Sequence, residues 1–523
     1  MAEEVVDVVI IGSGHAGGTA AKILTEKGIN CLMLNAGPVV DVPRDTELRP
    51  AYSLPYRGFM EPGRLKGVYQ SNEFNANTWV DEKEVPYTYE AKQPYNWVRV
   101  RLFGGRSLFW SRVCFRLSDY EFKGKSHDGF GEDWPIDHAE LSPYYSRVEK
   151  IFRVHGAPHG FAQLPDGNFI LDESPIPTSI KRLMAQGKTR NIAFGKQRVA
   201  NGIGNLASSL NLLLPDAFET GKLRAIPNVV VRELGVDKNT GRVNTVHFVD
   251  RLTKREMSVK ARVVVLAAGT LESTRLLLNS GIANSSGVMG HYLSDQIYGV
   301  GLTCSVPEAR NGKATSEMMN GSAIIPRFRN LDTKAKDFLR GYALNVWSSA
   351  GGADPRNFAS YGAELQQKLK SYHGSMVSMT IMGEVLSRYE NHVRINKNVV
   401  DAWGIPALHI DTKYGPNEYN MARDAVDTGV ELAEAAGFEV LAKNYEPNPP
   451  GYSIHEVGTC RMGNDPKTSV LNKWSQSHDC KNLFVVDGSG FTSAGWQNPT
   501  ITIAALSMRA SEYLAEQMRQ GNV

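Results

Sequence analysis

The feature that most constrains this chain is an apolar run, Val5-Val6-Asp7-Val8-Val9-Ile10-Ile11, feeding into Gly12-Ser13-Gly14-His15-Ala16-Gly17. The run reads as a buried parallel strand, residues 15–27 as a helix and 29–34 as a second strand, together one βαβ unit. Glycines at 12, 14 and 17 permit a tight turn, close backbone approach to a pyrophosphate, and close helix–strand packing. The helix N-terminus behind them favours an anion. A glycine turn without ligand is the bland alternative, and the strand-before, helix-after context weighs against it.

Asn35 stands about 20 residues beyond the glycines, where such sites place an acid for a ribose hydroxyl. Its amide oxygen still accepts a hydrogen bond and its NH2 donates. Charge assistance is what the asparagine gives up. The expected result is a weaker ribose clamp, so that Asn35→Glu alters cofactor retention and leaves the chemistry nearly unchanged.

With 523 residues the chain has room for two or more domains, and 58 Lys plus Arg nearly balance 55 Asp plus Glu. No basic block stands out, which argues against nucleic acid as a partner. The five cysteines (Cys31, Cys114, Cys304, Cys460, Cys480) are scattered and form neither a disulfide framework nor a metal-ligand set. Acids precede the first strand where a signal peptide would carry basic residues, and no run is long enough to cross a membrane. A cytoplasmic location is the expectation.

Residues 38–100 are rich in Pro, Tyr and Asn and show little periodicity. Within 133–156, Ser142 and Pro143 suit the N-cap and first position of a helix. Residues 228–266 read as strands joined by turns, and 270–281 as a helix stopped by Gly281. The middle, 301–450, carries short strand-like runs and an acidic amphipathic helix near 417–435, which suits a separate substrate-facing domain. "NLFVVDGSG" (482–490) is a strand into a glycine turn, and Asn498-Pro499 opens a long amphipathic helix to about 517.

Two polar clusters stand out against this background. "HEVGTCRMG" (455–463) places His455 among glycines and polar residues, outside any amphipathic pattern. "VVDGSGFTSAGWQNPTITIAAL" (485–506) ends a strand at Asp487-Gly488 and starts a helix after Asn498. A helix N-terminus supplies free N–H donors and positive potential. Taken singly, each cluster is as easily structural as functional.

Taken in order, five blocks resemble the glucose–methanol–choline (GMC) family of FAD-dependent oxidoreductases: "GSGHAGG" with "LNAGP"; "FGGRSLFW"; "DWPIDHAELSPYYSRVEKIFRVHG"; "VVVLAAGTLESTRLLLNSG"; and "HEVGTCRMG" with "VVDGSGFTSAGWQNPTITIAALSMRASEYL". The C-terminal blocks are most similar to pyranose oxidases and bacterial sugar and glycoside dehydrogenases. The resemblance implies an α/β fold: a Rossmann-type FAD-binding domain, like that of p-hydroxybenzoate hydroxylase, and a second α+β substrate domain on an antiparallel sheet. The first would comprise 1–155, 195–300 and 450–523, the second 156–194 and 301–449.

For particular positions the resemblance implies the following. Gly12, Gly14 and Gly17 would hold the FAD pyrophosphate, with His15 also among the cofactor-binding residues, Asn35 would hold the adenosine ribose, and the backbone of Val231 would meet the adenine. Gly105, Arg106, Ser107 and Ser111 would line the flavin, with Ser111 near its N5. Ala267 and Gly269 complete the cofactor set with Asp487, Gly488, Pro499 and Thr500. His455 would be the catalytic base taking the hydroxyl proton as hydride leaves for flavin N5, and Asn498 its partner. Phe109 stands where some pyranose oxidases attach FAD through a histidine, so the cofactor should be non-covalent. No cysteine lies in 198–213, where some glucose dehydrogenases carry an iron–sulfur cluster.

The implied substrate is a sugar or glycoside oxidised at a ring secondary hydroxyl (C2 or C3), with oxygen or a quinone or protein as electron acceptor. Asn320, Arg327, Asn345 and Trp347 are candidates to meet the sugar. A homo-oligomer and a small accessory subunit both stay open. The alternatives are a non-sugar alcohol such as a sterol, a non-redox lyase on the same fold, and a non-catalytic flavin-binding subunit.

Overall fold

The computed structural model describes residues 5–40, 68, 78–202, 206–332, 334–335 and 337–523. Much of the 38–100 stretch therefore lies outside the described residues. Strand β1 (Val5–Ile11), helix α1 (His15–Glu26) and strand β2 (Cys31–Leu34) form the βαβ unit that the sequence predicts. They sit in a seven-stranded sheet ordered 223–226, β2, β1, 256–266, 243–250, 229–236, with Leu483–Val485 paired to 256–266. Pairing is parallel around β1 and antiparallel along the 229–266 meander.

The apolar run of β1 has a direct cause: both of its faces are covered. Val9 and Ile11 join one core cluster, and Val8 and Ile10 join another. A parallel strand buried on both sides has no solvent face to make polar. Helix Thr500–Arg519 packs on α1 through small residues, Ala16, Ala20 and Ala21 against Ala510 and Ala515. The Ser507 hydroxyl donates to the Ala16 carbonyl at 2.7 Å across this contact. Among the described residues, no helix is long and apolar enough to cross a membrane.

A second sheet is antiparallel, ordered 321–325, 342–349, 376–384, 301–305, 439–444, with Gln296–Ile297 paired to the end of 376–384. Helix Pro416–Ala435 covers one face, where Leu344, Val346, Met379 and Ile381 meet Met421, Val426 and Leu432. Alternate residues on the central strands therefore point away from that core. On this other side Ala343 and Ile324 cluster with Phe115 and Trp496.

One local expectation is corrected. The helix predicted to start at Ser142-Pro143 starts at His138, and Asp137 is its cap, accepting from the Glu140 amide at 2.8 Å. An Asx oxygen reaching an amide three residues on outcompetes a proline, which removes a donor but satisfies none. Pro143 lies inside the helix.

Between the second sheet and the Ser118–Phe122 turn lies a buried set of three carboxylates and two guanidiniums. Arg327 stands 3.6 Å from Glu121, and Arg340 stands 3.3 Å from Asp128 and 3.6 Å from Glu384. With one carboxylate in excess, burial raises the Glu384 carboxyl to about 7. The group's ordinary value is 4.5, so its stabilisation is complete below that value and is lost as pH rises through about 7. Glu384→Gln copies the protonated form. Its stability relative to wild type should rise by on the order of 2 kcal/mol between pH 5 and pH 8, as measured by urea unfolding.

Candidate active site

The parallel strands bring their C-terminal ends to one edge, where four turns meet. After β1, the three glycines serve three distinct needs. Gly12 has φ +105°, and a β-carbon there would collide with the Ala267 carbonyl. At Gly17 a β-carbon would run into the Gly12 carbonyl. Gly14 is different: its backbone is extended, and a β-carbon would find only the Gly104 oxygen, at 3.9 Å. Gly105, φ +56°, faces it across the gap, where a β-carbon on Gly105 would meet nothing nearer than the Gly14 Cα at 3.7 Å. Two glycines thus leave a cradle open in front of the α1 N-terminus, which fits a pyrophosphate. Gly14→Val should therefore fold with near-native melting and purify without flavin, checked by the ratio of flavin to protein absorbance.

Asn35 holds this turn together. Its Oδ1 accepts from the Ser13 hydroxyl at 2.8 Å, and that hydroxyl accepts from the Gly104 amide at 2.8 Å. Its NH2 donates to two carbonyls, Gly37 at 3.1 Å and Leu102 at 3.3 Å. Both donors are spent, so a ribose hydroxyl could meet only the remaining capacity of Oδ1. Val231 lies on strand 229–236, whose Val229 amide donates to the Asn35 carbonyl at 3.0 Å.

Several expected cofactor residues turn out to have internal work. The His15 ring packs on Trp110 and Phe152, and its Nε2 is 3.0 Å from the Ala207 carbonyl; burial lowers its pKa to about 4. A carbonyl only accepts, so this nitrogen carries the proton. The Ser107 hydroxyl donates to Gly104 O at 2.6 Å and accepts from the Ser209 amide at 3.0 Å. Asp487 accepts from the Gly269 amide at 3.0 Å, from the Ser273 hydroxyl, and from Ser489 N and Oγ at 3.1 and 2.6 Å. Its carboxylate brackets the turn after 256–266 to the turn after 483–485. Ala267 continues the ladder, its amide donating to Ile11 O at 2.8 Å.

His455 and Asn498, 43 positions apart, meet: Asn498 Nδ2 lies 3.2 Å from His455 Nε2. On the far side of the ring, Nδ1 lies 2.8 Å from Gln296 Oε1. Asp295 supports the backbone beneath, accepting from the His455 amide at 3.1 Å, the Gly451 amide at 3.0 Å, and the Ser453 hydroxyl. Burial, and then the positive charge of Arg106, pull the imidazole down to about 3. Arg106 pairs with Glu456 at 2.6 Å, and Thr270 donates to the Glu456 carbonyl at 2.7 Å. The histidine is thereby tied to the Gly269 turn of the cradle. Pro499 caps helix Thr500–Arg519 beside Asn498, and Gly488 O accepts from the Gly458 amide at 3.1 Å. Ser111 is exposed, and Phe109 lies on Trp79 with ring centres 5.1 Å apart.

The sugar-facing candidates divide. Asn345 and Trp347 share the sheet face that Ala343 packs against Trp496, two residues before Asn498. Trp347 is 47% exposed, and Asn345 Oδ1 accepts from Gln197 at 3.0 Å. Thr380 and Ser378 stand opposite them on the next strand. Arg327 is withdrawn from any substrate, buried in the charge set and donating to the Arg329 and Asn330 carbonyls. Asn320 accepts from the Ala350 amide at 2.8 Å in a turn. Sequence reasoning missed Asp295 and Gln296; the polar pair in "HYLSDQIYG" was the available signal.

Family models described as GMC oxidoreductase match residues 6–298 and 387–507. The chain is 27% identical to 2-methyl-1,2-propanediol dehydrogenase of Mycolicibacterium austroafricanum, covering 97% of this chain and 95% of that one. It is 26% identical to the fructose dehydrogenase large subunit of Gluconobacter japonicus, covering 98% of each. The structure of pyridoxine 4-oxidase from "Mesorbium loti" superposes with a TM-score of 0.67 at 19% identity, covering 97% of this chain and 99% of that one.

Proposed function

Because the chain belongs to the GMC oxidoreductase family, an FAD-dependent group of alcohol-oxidising enzymes, we propose that it oxidises a ring hydroxyl of a sugar or glycoside to a ketone. The observation that carries this is the His455–Asn498 pair, whose neighbour Glu456 is tied to Arg106 and Thr270. FAD bound in the glycine cradle supplies a hydride acceptor. His455 Nε2 takes the hydroxyl proton, which relieves the positive charge that would otherwise build on the carbinol carbon. Asn498 orients the hydroxyl. Its buried Oδ1 has no hydrogen-bond partner, so it is available to a substrate group. The polar face of Asn345, Thr380 and Trp347 offers hydrogen bonds and a stacking surface to a polyol ring.

Gly12, Gly14, Gly17, Gly105 and the Asp487-bracketed turns would hold the cofactor. Phe109 offers no nucleophile, so FAD is held non-covalently. The electrons pass to oxygen or to a quinone or protein acceptor. A second reading, a small branched diol as substrate, is favoured by the 2-methyl-1,2-propanediol dehydrogenase likeness. The deciding experiment is anaerobic reduction of the purified holoenzyme by a panel of free sugars, glycosides and short diols, then exposure to oxygen and to a quinone. Bleaching of the flavin band by sugars or glycosides is expected. Bleaching by diols alone overturns the sugar reading, and bleaching by none of the panel favours a non-redox role.

A further inference from the structure

We propose that Gln296 is a positioning residue for the reaction, holding His455 in the tautomer whose Nε2 is free to take a proton. The inference rests on His455 acting as the base. Gln296 is 2% exposed, and its backbone is paired with Glu384 at the end of a strand, so its side chain is fixed at the root. Its Nε2 donates to two backbone carbonyls, Gly495 at 3.0 Å and Gln497 at 2.8 Å. Carbonyls only accept, so the amide has one admissible orientation. Oε1 must then be the atom that faces His455 Nδ1 at 2.8 Å.

An amide oxygen also only accepts, so Nδ1 carries the ring's proton. A neutral imidazole has one such proton, and Nε2 is left as a lone pair facing Asn498 and the cleft. The opposite tautomer would set two acceptors against each other and leave the oxygen of the buried Gln296 without a donor. The same side chain does a second job. By holding the carbonyls at 495 and 497 it fixes the loop that presents Asn498, so one glutamine sets both members of the reacting pair. Asp295, its neighbour, pins the His455 backbone from below. This adjacent pair therefore positions backbone and ring of His455 together.

Nitrogen-15 NMR of holoenzyme labelled at histidine tests this, with the His455 signals identified by their loss in His455→Ala. Wild type should show Nδ1 protonated and Nε2 bare. Gln296→Met keeps length and removes the polar atoms. It should slow flavin reduction by about 10–100-fold with KM little changed, and move His455 toward the Nε2-protonated form. Gln296→Glu, which still offers an acceptor to Nδ1 but loses the donors to the Gly495 and Gln497 carbonyls, should keep Nδ1 protonated. A wild-type proton on Nε2 overturns the proposal. So does a Gln296→Met enzyme that keeps its rate within about twofold, or one that is slow with an unchanged His455 tautomer. If Gln296→Met does not fold, the wild-type tautomer and the Gln296→Glu spectrum decide. Normal reduction by His455→Ala would instead sink the base assignment itself, while the resting tautomer would still be read directly.

Discussion

His455→Ala is expected to give a folded, yellow protein whose flavin is reduced by its alcohol substrate on the order of 10²–10⁴ times more slowly than in wild type. The glycine turns are built from other residues, and the His455 segment meets them through Glu456, which pairs with Arg106 and accepts from Thr270, so removing the ring should spare FAD binding. What disappears is the proton acceptor. Asn498 cannot replace it, because an amide holds no basic lone pair at neutral pH. Wild-type His455, held down to about 3 by burial and then by Arg106, is neutral throughout the working range. Reduction by wild type should accordingly show no acid limb near the ordinary histidine value of about 6.5 that is owed to this residue. Stopped-flow absorbance under anaerobic conditions, normalised to flavin per chain, makes the measurement. Normal reduction in the alanine variant would remove His455 from the role.

Asn35→Asp should damage the other end of the site. The substitution keeps shape and exchanges an NH2 for an oxygen, which then faces the Gly37 and Leu102 carbonyls at about the present 3.1 and 3.3 Å. Each buried group left unpaired costs about 1–3 kcal/mol. The variant should melt several degrees lower, release FAD more readily, and regain part of its stability in excess FAD by mass action. Turnover per bound flavin should stay within about twofold of wild type, because the reacting pair is untouched. Differential scanning fluorimetry with and without added FAD, beside flavin-normalised rates, separates the two effects. Unchanged melting and retention would mean that the two carbonyls do not depend on the asparagine donors. In the structure the asparagine latches the turn through Ser13, Gly37 and Leu102.

How far the sequence reaches depends on how local the cause is. The β1–α1–β2 unit and helix Thr270–Ser280 with its Gly281 stop, φ +64°, follow from neighbouring residues and were legible. So was helix Pro416–Ala435, begun by a proline and carried by its apolar stripe. The second sheet's short strands, such as "GLTCS" at 301–305, carry too few residues for a period to declare itself. His455 and Asn498 were legible as a pair only through motif resemblance, since nothing in spacing brings residues 43 apart to 3.2 Å. Gln296 was not legible, because its meaning comes from two carbonyls about 200 positions downstream. The setting of Arg327 was not legible for the same reason: its carboxylate partners come from separate stretches of chain.

The place of Leu483–Val485 in the first sheet has a consequence for biosynthesis. The strand 256–266 is bordered by β1, from the start of the chain, and by this segment nearly 480 residues later. Helix Thr500–Arg519 then closes over α1. A nascent chain can form β1, α1 and β2 early, yet their apolar faces wait uncovered until translation has passed residue 519. Long-range pairing of this kind is slow and leaves partly folded chains prone to association. Asp487 and Asn498 also arrive only with that last segment, so the site proposed above for the cofactor is completed only after they are translated. Heterologous expression should accordingly gain more soluble holoenzyme from slower synthesis and chaperone supply than from supplementing the growth medium with the vitamin precursor of FAD.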